Sequence, residues 1–229
     1  MIGKAITKNS LLLAAFAVAV AASLALTESS TREQRDAALR KVKSQALEEV
    51  VPENQRDNIL LDDYIITDDN EYLSLKTHKK CAGLEAPEKC EKIFIARKND
   101  DITHFILPTR APDGYGGSII SIVGINLNGA ISGVRIIQHT ETPGLGDKVE
   151  LKKSDWVLSF EKKSLENLSN SEWTVKKDGG EFDQFTGATI TPRAVVQSIY
   201  QALVFYQKNK DDLIKQANRS RLDRLGGAQ

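Results

Sequence analysis

The stretch Asp183-Gln184-Phe185-Thr186-Gly187-Ala188-Thr189-Ile190-Thr191-Pro192 joins a glycine turn to the start of a helix. Thr191 is a favourable N-cap, and Pro192 is a favourable first helical residue. The residues that follow place an apolar face at helical spacing: Val195, Val196, Ile199, Ala202, Leu203 and Tyr206. Free N–H groups and the macrodipole at a helix start favour a phosphate beside Thr189. An ordinary helix cap uses the same residue types, so this stretch alone leaves both interpretations open.

Composition limits the classes of protein that the chain resembles. Its 229 residues suffice for one substantial domain and an appendage. Lys plus Arg and Asp plus Glu both number 31, so no basic footprint indicates a nucleic-acid partner. Cys81 and Cys90 have no second pair and no neighbouring histidine cluster, so we predict no metal site. A disulfide that closes a short polar loop is the preferred interpretation, and two unpaired thiols are the alternative.

The N-terminal region predicts a membrane segment. Lys4 and Lys8 precede an uncharged apolar run over residues 11–26. We predict a cytoplasmic N-terminus over 1–8 and a transmembrane anchor over 9–27, with the rest of the chain exported by the positive-inside rule. A cleaved signal peptide with small residues at its cleavage site is the alternative. A charged linker helix over 28–52 should begin at the capping box of Ser30 and stop at Pro52, with an apolar stripe that packs on the domain.

The remaining chain predicts an α+β domain over 53–206, with a twisted antiparallel sheet and packed helices. The predicted strands cover 59–66, 71–75, 92–97, 102–107, 118–127 and 130–138, with a further short one over 173–176. Asn99-Asp100-Asp101 predicts one hairpin turn, and Asn128-Gly129 predicts a type I′ turn. A short helix over 152–160 should place Trp156 and Phe160 in the core. The last segment, 207–229, is predicted to be a charged, solvated helical tail.

Two glycine-containing segments are candidates for ligand contact. Gly114-Tyr115-Gly116-Gly117 opens a strand, where glycines allow close approach of a ligand or a flexible strand entry. The second segment runs from His139 to Lys148 and contains Glu141-Thr142-Pro143-Gly144-Leu145-Gly146. A Pro-Gly-Leu-Gly loop exposes backbone amides and sets a leucine against a flat ring system. His139 is either a site residue or a packed residue that holds this loop.

The chain carries no motif of a hydrolase. It has neither Gly-x-Ser-x-Gly nor His-Glu-x-x-His, and its three histidines lie apart without a paired nucleophile. We therefore predict no catalytic residue. A role in electron transfer requires no catalytic side chain, because a cofactor carries the redox chemistry and the protein binds and orients it.

The run Asp-x-x-Thr-Gly-Ala-Thr over 183–189 resembles the flavinylation motif of FMN-binding domains in the Rnf and Nqr redox pumps. With the two glycine segments, in this order, nearly the whole chain resembles the RnfG family of the Rnf electron transport complex. The resemblance implies FMN attached to Thr189 through a phosphoester bond. It implies a ring lying against the 141–146 loop. The implied cofactor-binding residues are Thr189, Thr186, Gly187, Ala188, Glu141, Thr142, Leu145, Gly146, Lys148 and Tyr115.

The resemblance also implies a setting. The chain would be a single-pass inner-membrane flavoprotein with its main domain on the periplasmic side. It would relay electrons in a complex that couples ferredoxin and NAD redox chemistry to ion translocation. The implied partners are the other membrane subunits of the Rnf complex and a flavin transferase that uses FAD. Asp183 would be recognised by that transferase or would serve as a turn residue.

Three alternatives to this interpretation remain at the level of sequence. One is the related FMN-binding subunit of the sodium-pumping NADH:quinone reductase, which shares the flavinylation motif. The second is a flavin-free structural subunit whose Thr-Gly-Ala-Thr segment is only a helix cap. The third is an exported module that binds a diffusible ligand.

Overall fold

The computed structural model of the chain describes residues 2–67, 73 and 91–226. Two long helices flank five strands in the sequence: α1 (Ile2–Val50), β1 (Tyr64–Thr67), β2 (Glu91–Lys98), β3 (Asp101–Gly114), β4 (Gly117–Asn126), β5 (Ile131–Gln138) and α2 (Ile190–Gly226). Short 3-10 helices occupy Glu53–Gln55, Leu60–Asp62, Gly146–Val149, Asp155–Phe160, Asn170–Glu172 and Lys176–Asp178. The chain divides into two compact units, Met1–Lys43 and Ser44–Gln229.

The first unit consists of α1 up to Lys43. Within the described residues, its segment Leu13–Arg32 is the one helical stretch long and apolar enough to cross a membrane, with a mean hydropathy of 1.6. The helix start predicted at Ser30 is wrong, because α1 runs through it without a break. The Ser30 hydroxyl donates back to the carbonyl of Thr27 at 3.0 Å, so it is satisfied inside the helix instead of capping one.

The second unit begins with the last turns of α1. Leu47 and Val50 are fully buried there, and the helix ends at Val50, two residues before Pro52, as predicted. Ser132 donates to the carbonyl of Val50 at 2.6 Å. A Cβ on Gly124 would lie 2.6 Å from that carbonyl oxygen, so the helix end can approach the sheet only where the strand carries no side chain.

The five strands form one antiparallel sheet in the order β1-β2-β3-β4-β5. Alternate residues enter two cores, as the period of a strand requires. Phe94, Ile106 and Ile122 pack with the end of α1 on one face. Ile95, Phe105 and other residues of the opposite face pack with the apolar side of α2: Val195, Val196, Ile199, Ala202, Leu203 and Tyr206. The predicted α+β class, the antiparallel sheet and the apolar face of α2 are confirmed.

The two hairpin turns differ from each other in backbone geometry. Asn99 and Asp100 have φ of 50° and 75°, and they join Lys98 to its partner Asp101 as a type I′ turn. The Asn128-Gly129 hairpin exists, but the type I′ prediction is wrong, since only Gly129 has positive φ, at 82°. Gly129 N–H donates to the Asn126 carbonyl at 2.9 Å, which gives a type I turn closed by a glycine bulge. The Asn126 side chain stabilises it by accepting from two backbone N–H groups.

Several predicted strands have different bounds. In 59–66 the strand begins only at Tyr64, after the 3-10 turn Leu60–Asp62. Over 173–176 only a single bridge forms, between Val175 and Phe182, and the helix predicted over 152–160 is the 3-10 helix Asp155–Phe160. Its Trp156 and Phe160 are buried, as predicted. The segment 71–75 lies outside the described residues except for Leu73, and so do Cys81 and Cys90, whose disulfide stays a prediction.

The solvated tail predicted over 207–229 is wrong for its first half. α2 continues without interruption, and Leu213 and Ala217 are buried at 4% and 0% exposure. The Ala217 carbonyl accepts a hydrogen bond from the Arg97 guanidinium at 3.1 Å, and the same guanidinium pairs with Asp63 at 2.7 Å. The apolar residues of this segment are few, and the Arg97 hydrogen bond to the Ala217 carbonyl helps to hold this part of α2 on the sheet.

Candidate functional site

Three segments that are distant in sequence meet at one cleft of about 300 Å³ at the start of α2. They are the strand entry at 114–117, the loop at 139–148 and the turn at 183–191. Eight of the ten predicted site residues line the cleft: Tyr115, Glu141, Thr142, Leu145, Gly146, Gly187, Ala188 and Thr189. Thr186 is exposed and Lys148 is half-buried, and neither lines it. The cleft also includes Ile190 and Thr191, which were not among the predicted site residues.

The start of α2 places Thr189 at the N-cap. α2 begins at Ile190, and the Thr189 carbonyl accepts from Arg193 N–H at 3.3 Å, which is the first intrahelical bond. The N-cap predicted at Thr191 is therefore wrong by two residues. Thr191 lies inside the first turn with no exposure, and its hydroxyl donates to Glu141 Oε2. Ile190 and Thr191 carry the N–H groups of the first turn that have no acceptor within the helix. Pro192 is the third helical residue and not the first, as was predicted, and it has no N–H.

The Thr-Gly-Ala-Thr segment forms a tight turn. Ala188 N–H donates to the Phe185 carbonyl at 3.1 Å, and Gly187 between them has φ of 81°. This is the left-handed third position of a type II turn, which glycine adopts without strain. Phe185 is buried against the Trp156 ring at a centroid distance of 5.0 Å. Trp156 Nε1 donates to the Asp183 carbonyl at 2.7 Å, so the chain that enters the turn is fixed to the core.

The Pro-Gly-Leu-Gly loop carries an exposed leucine opposite that turn. The amides of Leu145 and Gly146 both donate to the Thr142 carbonyl, at 3.1 and 3.0 Å. Asp147 accepts from Gly144 N–H at 2.8 Å and holds the loop from inside. Leu145 is 41% exposed although the loop around it is ordered by these bonds. Leu145 therefore presents an ordered apolar surface to a ligand bound in the cleft.

Glu141 connects all three segments. It is 5% exposed, its Oε1 accepts from Gly116 N–H at 2.9 Å, and its Oε2 accepts from the Thr191 hydroxyl. A Cβ on Gly114 or on Gly146 would lie 2.8 or 2.7 Å from its carboxylate oxygens. Packing around the carboxylate therefore explains Gly146, whereas a Cβ on Gly114 would meet the Gly117 carbonyl oxygen more closely still, at 2.3 Å.

His139 holds the loop and does not line the cleft. Its Nδ1 accepts from Glu141 N–H at 3.0 Å, so the ring proton resides on Nε2, which faces Glu150 Oε1 at 2.5 Å. Of the two interpretations of His139, the structure favours the packed residue that positions the loop. Thr140 adds a second tie, because its hydroxyl donates to the Gly116 carbonyl at 2.6 Å.

Ile190 and Thr191 show what the sequence reasoning missed at the site. Ile190 is 47% exposed on the cleft side, and an exposed isoleucine directly after a predicted attachment threonine is the signal that could have identified it. Thr191 had been assigned to capping, which fully accounts for a threonine before proline at a helix start. Its partner Glu141 lies 50 residues away, so no local pattern indicates the bond.

Comparisons with known proteins agree with this geometry. Residues 114–204 match the model of the FMN-binding domain, a range that contains all three cleft segments. Residues 1–50 match the model of the RnfG N-terminal region. Proteins named as the G subunit of an ion-translocating oxidoreductase complex are similar along nearly their whole length. The one from Pseudoalteromonas atlantica is 39% identical over 94% of this chain and 95% of its own. The one from Vibrio vulnificus is 39% identical over 93% and 94%.

The relative from Pseudomonas aeruginosa is 40% identical over 92% of this chain and 93% of its own. Such identity over such coverage shows common family membership, and the match over 1–50 extends it to the apolar part of α1. The chain belongs to the RnfG family, the flavoprotein subunits of the ion-translocating oxidoreductase, or Rnf, electron transport complexes, and it contains that family's FMN-binding domain.

Proposed function

We propose that the chain carries FMN esterified through its phosphate to the Thr189 hydroxyl and relays electrons within an Rnf-type complex through this group. The observation that carries the proposal is the position of Thr189, which lines the cleft at the N-cap of α2. A phosphate bonded to this hydroxyl would lie near the backbone N–H groups of Ile190 and Thr191, which have no acceptor within the helix, and near the positive end of the macrodipole.

The neighbouring threonines are less suitable acceptors. Thr191 has no exposure and its hydroxyl is already bonded to Glu141. Thr186 is exposed but lies outside the cleft. Thr189 alone among the three combines a partly exposed side chain with a place in the cleft.

The cleft residues fit an FMN group. Thr142, Leu145 and Gly146 of the loop that the resemblance sets against the ring line it, and Leu145 and Ile190 leave apolar surface exposed, at 41% and 47%. Tyr115, at 69% exposure, adds an aromatic side chain at the rim. Large apolar side chains that remain open beside a polar helix start suit a ligand with a flat ring at one end and a phosphate at the other. Bound FMN would supply the one- and two-electron chemistry that no side chain here can perform.

We propose that the chain is a single-pass protein of the cell inner membrane, with its main domain on the periplasmic side. Leu13–Arg32 is long enough to span a bilayer, and Lys4 and Lys8 precede it, which favours a cytoplasmic N-terminus. A signal sequence has the same length and composition, but it is cleaved from the mature protein, whereas a membrane anchor is retained. A reporter fused after residue 43, behind this segment, should be active only outside the cytoplasm. Activity inside the cell would reverse the orientation.

The proposed partners are the other Rnf membrane subunits and a separate flavin transferase. The relatives are named as subunits of an ion-translocating oxidoreductase complex, which supports a role in redox-driven ion translocation for this chain. The match over residues 1–50 favours this family over the FMN-binding subunit of the sodium-pumping NADH:quinone reductase. A flavin-free structural subunit would not need a cleft with exposed Leu145 and Ile190.

Covalent attachment is tested by fluorescence in a denaturing gel. The full chain, co-expressed with a flavin transferase, should show a flavin band, and Thr189→Ala should remove it. Ser171→Ala is the control, because it deletes an exposed hydroxyl outside the cleft and outside the 183–189 motif, and it should keep the band. A wild-type chain without fluorescence would refute covalent FMN, and a fluorescent Thr189→Ala chain would show that another hydroxyl is the acceptor.

A further inference from the structure

The charges around the cleft are unbalanced. Among the described residues that line it, Glu141 is the only one with a formal charge at neutral pH. Lys148 follows the loop but does not line the cleft. Asp147, close by, faces Lys153 at 3.7 Å and accepts from Gly144. The cleft therefore contains one negative charge and no lining cation to offset it.

The Glu141 carboxylate is held in one place. Each of its oxygens accepts one hydrogen bond, from Gly116 N–H and from the Thr191 hydroxyl. These two donors fix the positions of both oxygens. Its burial at 5% exposure keeps water from screening the charge on the protein side.

The backbone packs closely around Glu141. A Cβ added to Gly114 or Gly146 would lie 2.8 or 2.7 Å from its oxygens, so a side chain at either position would collide with the carboxylate. His139 fixes the backbone of the same residue by accepting its N–H at 3.0 Å. A charge restrained at both its backbone and its carboxylate acts on a bound ligand with a constant geometry.

We propose that Glu141 positions the flavin cleft and, through its fixed negative charge, lowers the reduction potential of the bound flavin. The proposal rests on the proposed function, since it requires FMN in this cleft. Two electrons from the redox partner, taken up with one proton, add one negative charge to the flavin. A buried carboxylate that lines the same cleft disfavours this added charge, because charges interact strongly where water is excluded. The equilibrium at a given applied potential is therefore displaced toward the oxidised form.

The test uses the full-length chain, co-expressed with a flavin transferase and titrated electrochemically while the flavin absorbance is recorded. Glu141→Gln removes the charge and keeps nearly the same shape. We expect it to carry FMN in the gel and to shift the oxidised-to-reduced equilibrium at least tenfold toward the reduced form. For a two-electron couple, tenfold corresponds to about 30 mV. Glu141→Asp keeps the charge but shortens the reach to the two donors, and we expect it to stay within about threefold of wild type.

The matched control is Asp113→Asn, which removes an exposed negative charge one residue before Gly114 and outside the cleft. It should leave the equilibrium within about threefold of wild type, because water and salt screen an exposed charge. Thermal unfolding of each variant accompanies the titration. If Glu141→Gln does not fold, Thr142→Lys replaces it, because a cation at this exposed lining position offsets the charge of the neighbouring Glu141 and should shift the equilibrium toward the reduced form. An unchanged potential in a flavin-loaded Thr142→Lys chain would then overturn the proposal.

Three further results would overturn the proposal. One is a flavin-loaded Glu141→Gln chain with an unchanged potential. Another is a tenfold shift in Glu141→Asp, which would show that geometry and not charge sets the potential. The third is a folded Glu141→Gln chain that takes up no flavin, because the carboxylate would then act in attachment. A wild-type chain without covalent flavin would refute the proposed function instead, so the two failures are distinguishable.

Discussion

Replacing Gly116 with alanine tests whether the strand entry and the loop at 139–142 are locked together. The ideal Cβ of residue 116 would lie 2.0 Å from the Thr140 carbonyl oxygen, far inside van der Waals contact, and 3.1 Å from Glu141 N. The obstacle is backbone, so no rotamer change can relieve it, and the two segments must separate. Separation breaks the bonds from Gly116 N–H to Glu141 and from the Thr140 hydroxyl to Gly116.

The cost follows from those two bonds. A hydrogen bond to a charged group contributes about 1.5–3 kcal/mol and a neutral one about 0.5–1.5 kcal/mol, so the free energy of unfolding should fall by about 2–4.5 kcal/mol. For a chain of this size, each kcal/mol changes the melting temperature by about 2–4 °C. Gly116→Ala should therefore melt about 4–18 °C below wild type, as measured by circular dichroism on the full chain in detergent.

Gly129→Ala is the control for this experiment. Gly129 has φ of 82°, and a Cβ there meets nothing within 4 Å, so its substitution reports backbone strain alone, of about 1–2 kcal/mol. The reasoning is refuted if Gly116→Ala melts within about 2 °C of wild type, or if it is the less destabilised of the two variants. Either result would mean that the loop at 139–142 yields without loss of its bonds.

Further predictions concern buried polar groups elsewhere in the second unit. Thr191→Val leaves Glu141 Oε2 without its side-chain donor, and urea unfolding should show a loss of about 1–3 kcal/mol. Arg97→Met leaves Asp63 without its guanidinium partner, and the same assay should show a loss of about 3 kcal/mol. Burial lowers the pKa of His104 from 6.5 to about 4. Between these two pH values the imidazole is protonated in the unfolded chain and neutral in the folded chain. Stability should therefore fall by up to about 1.4 kcal/mol per pH unit as the pH drops through this window, and His104→Leu should remove that slope.

Much of the fold could be predicted because its signals are local. Alternating apolar residues and turn dipeptides located the four strands from β2 to β5, and the helical spacing after Pro192 located the buried side of α2. The segment after residue 206 was misjudged because its apolar residues are sparse. Leu213 and Ala217 are buried by a sheet that lies far away in sequence, and the Arg97 bond to the Ala217 carbonyl spans 120 residues.

The same limit applies to the cleft. Each of its three segments was recognisable from its own residues, and eight of the ten predicted site residues line it. Their connection was not predictable, because Glu141 reaches Gly116 across 25 residues and Thr191 across 50. The family resemblance implied only that Glu141 belongs to a loop that lies against the ring. The structure adds that both of its carboxylate oxygens are bonded to protein donors.

The two hydrogen bonds accepted by the Glu141 carboxylate are also relevant to how FMN would become attached to Thr189. Esterification of Thr189 needs a base that removes the hydroxyl proton and a group that activates the phosphate. Glu141 is the one carboxylate that lines the cleft among the described residues, and its two oxygens are occupied by Gly116 and Thr191. The nearest histidine in sequence, His139, is bonded at both ring nitrogens and lies outside the cleft. The lining residues thus hold a threonine at a helix start without a free base beside it, an arrangement that supports attachment by a separate transferase.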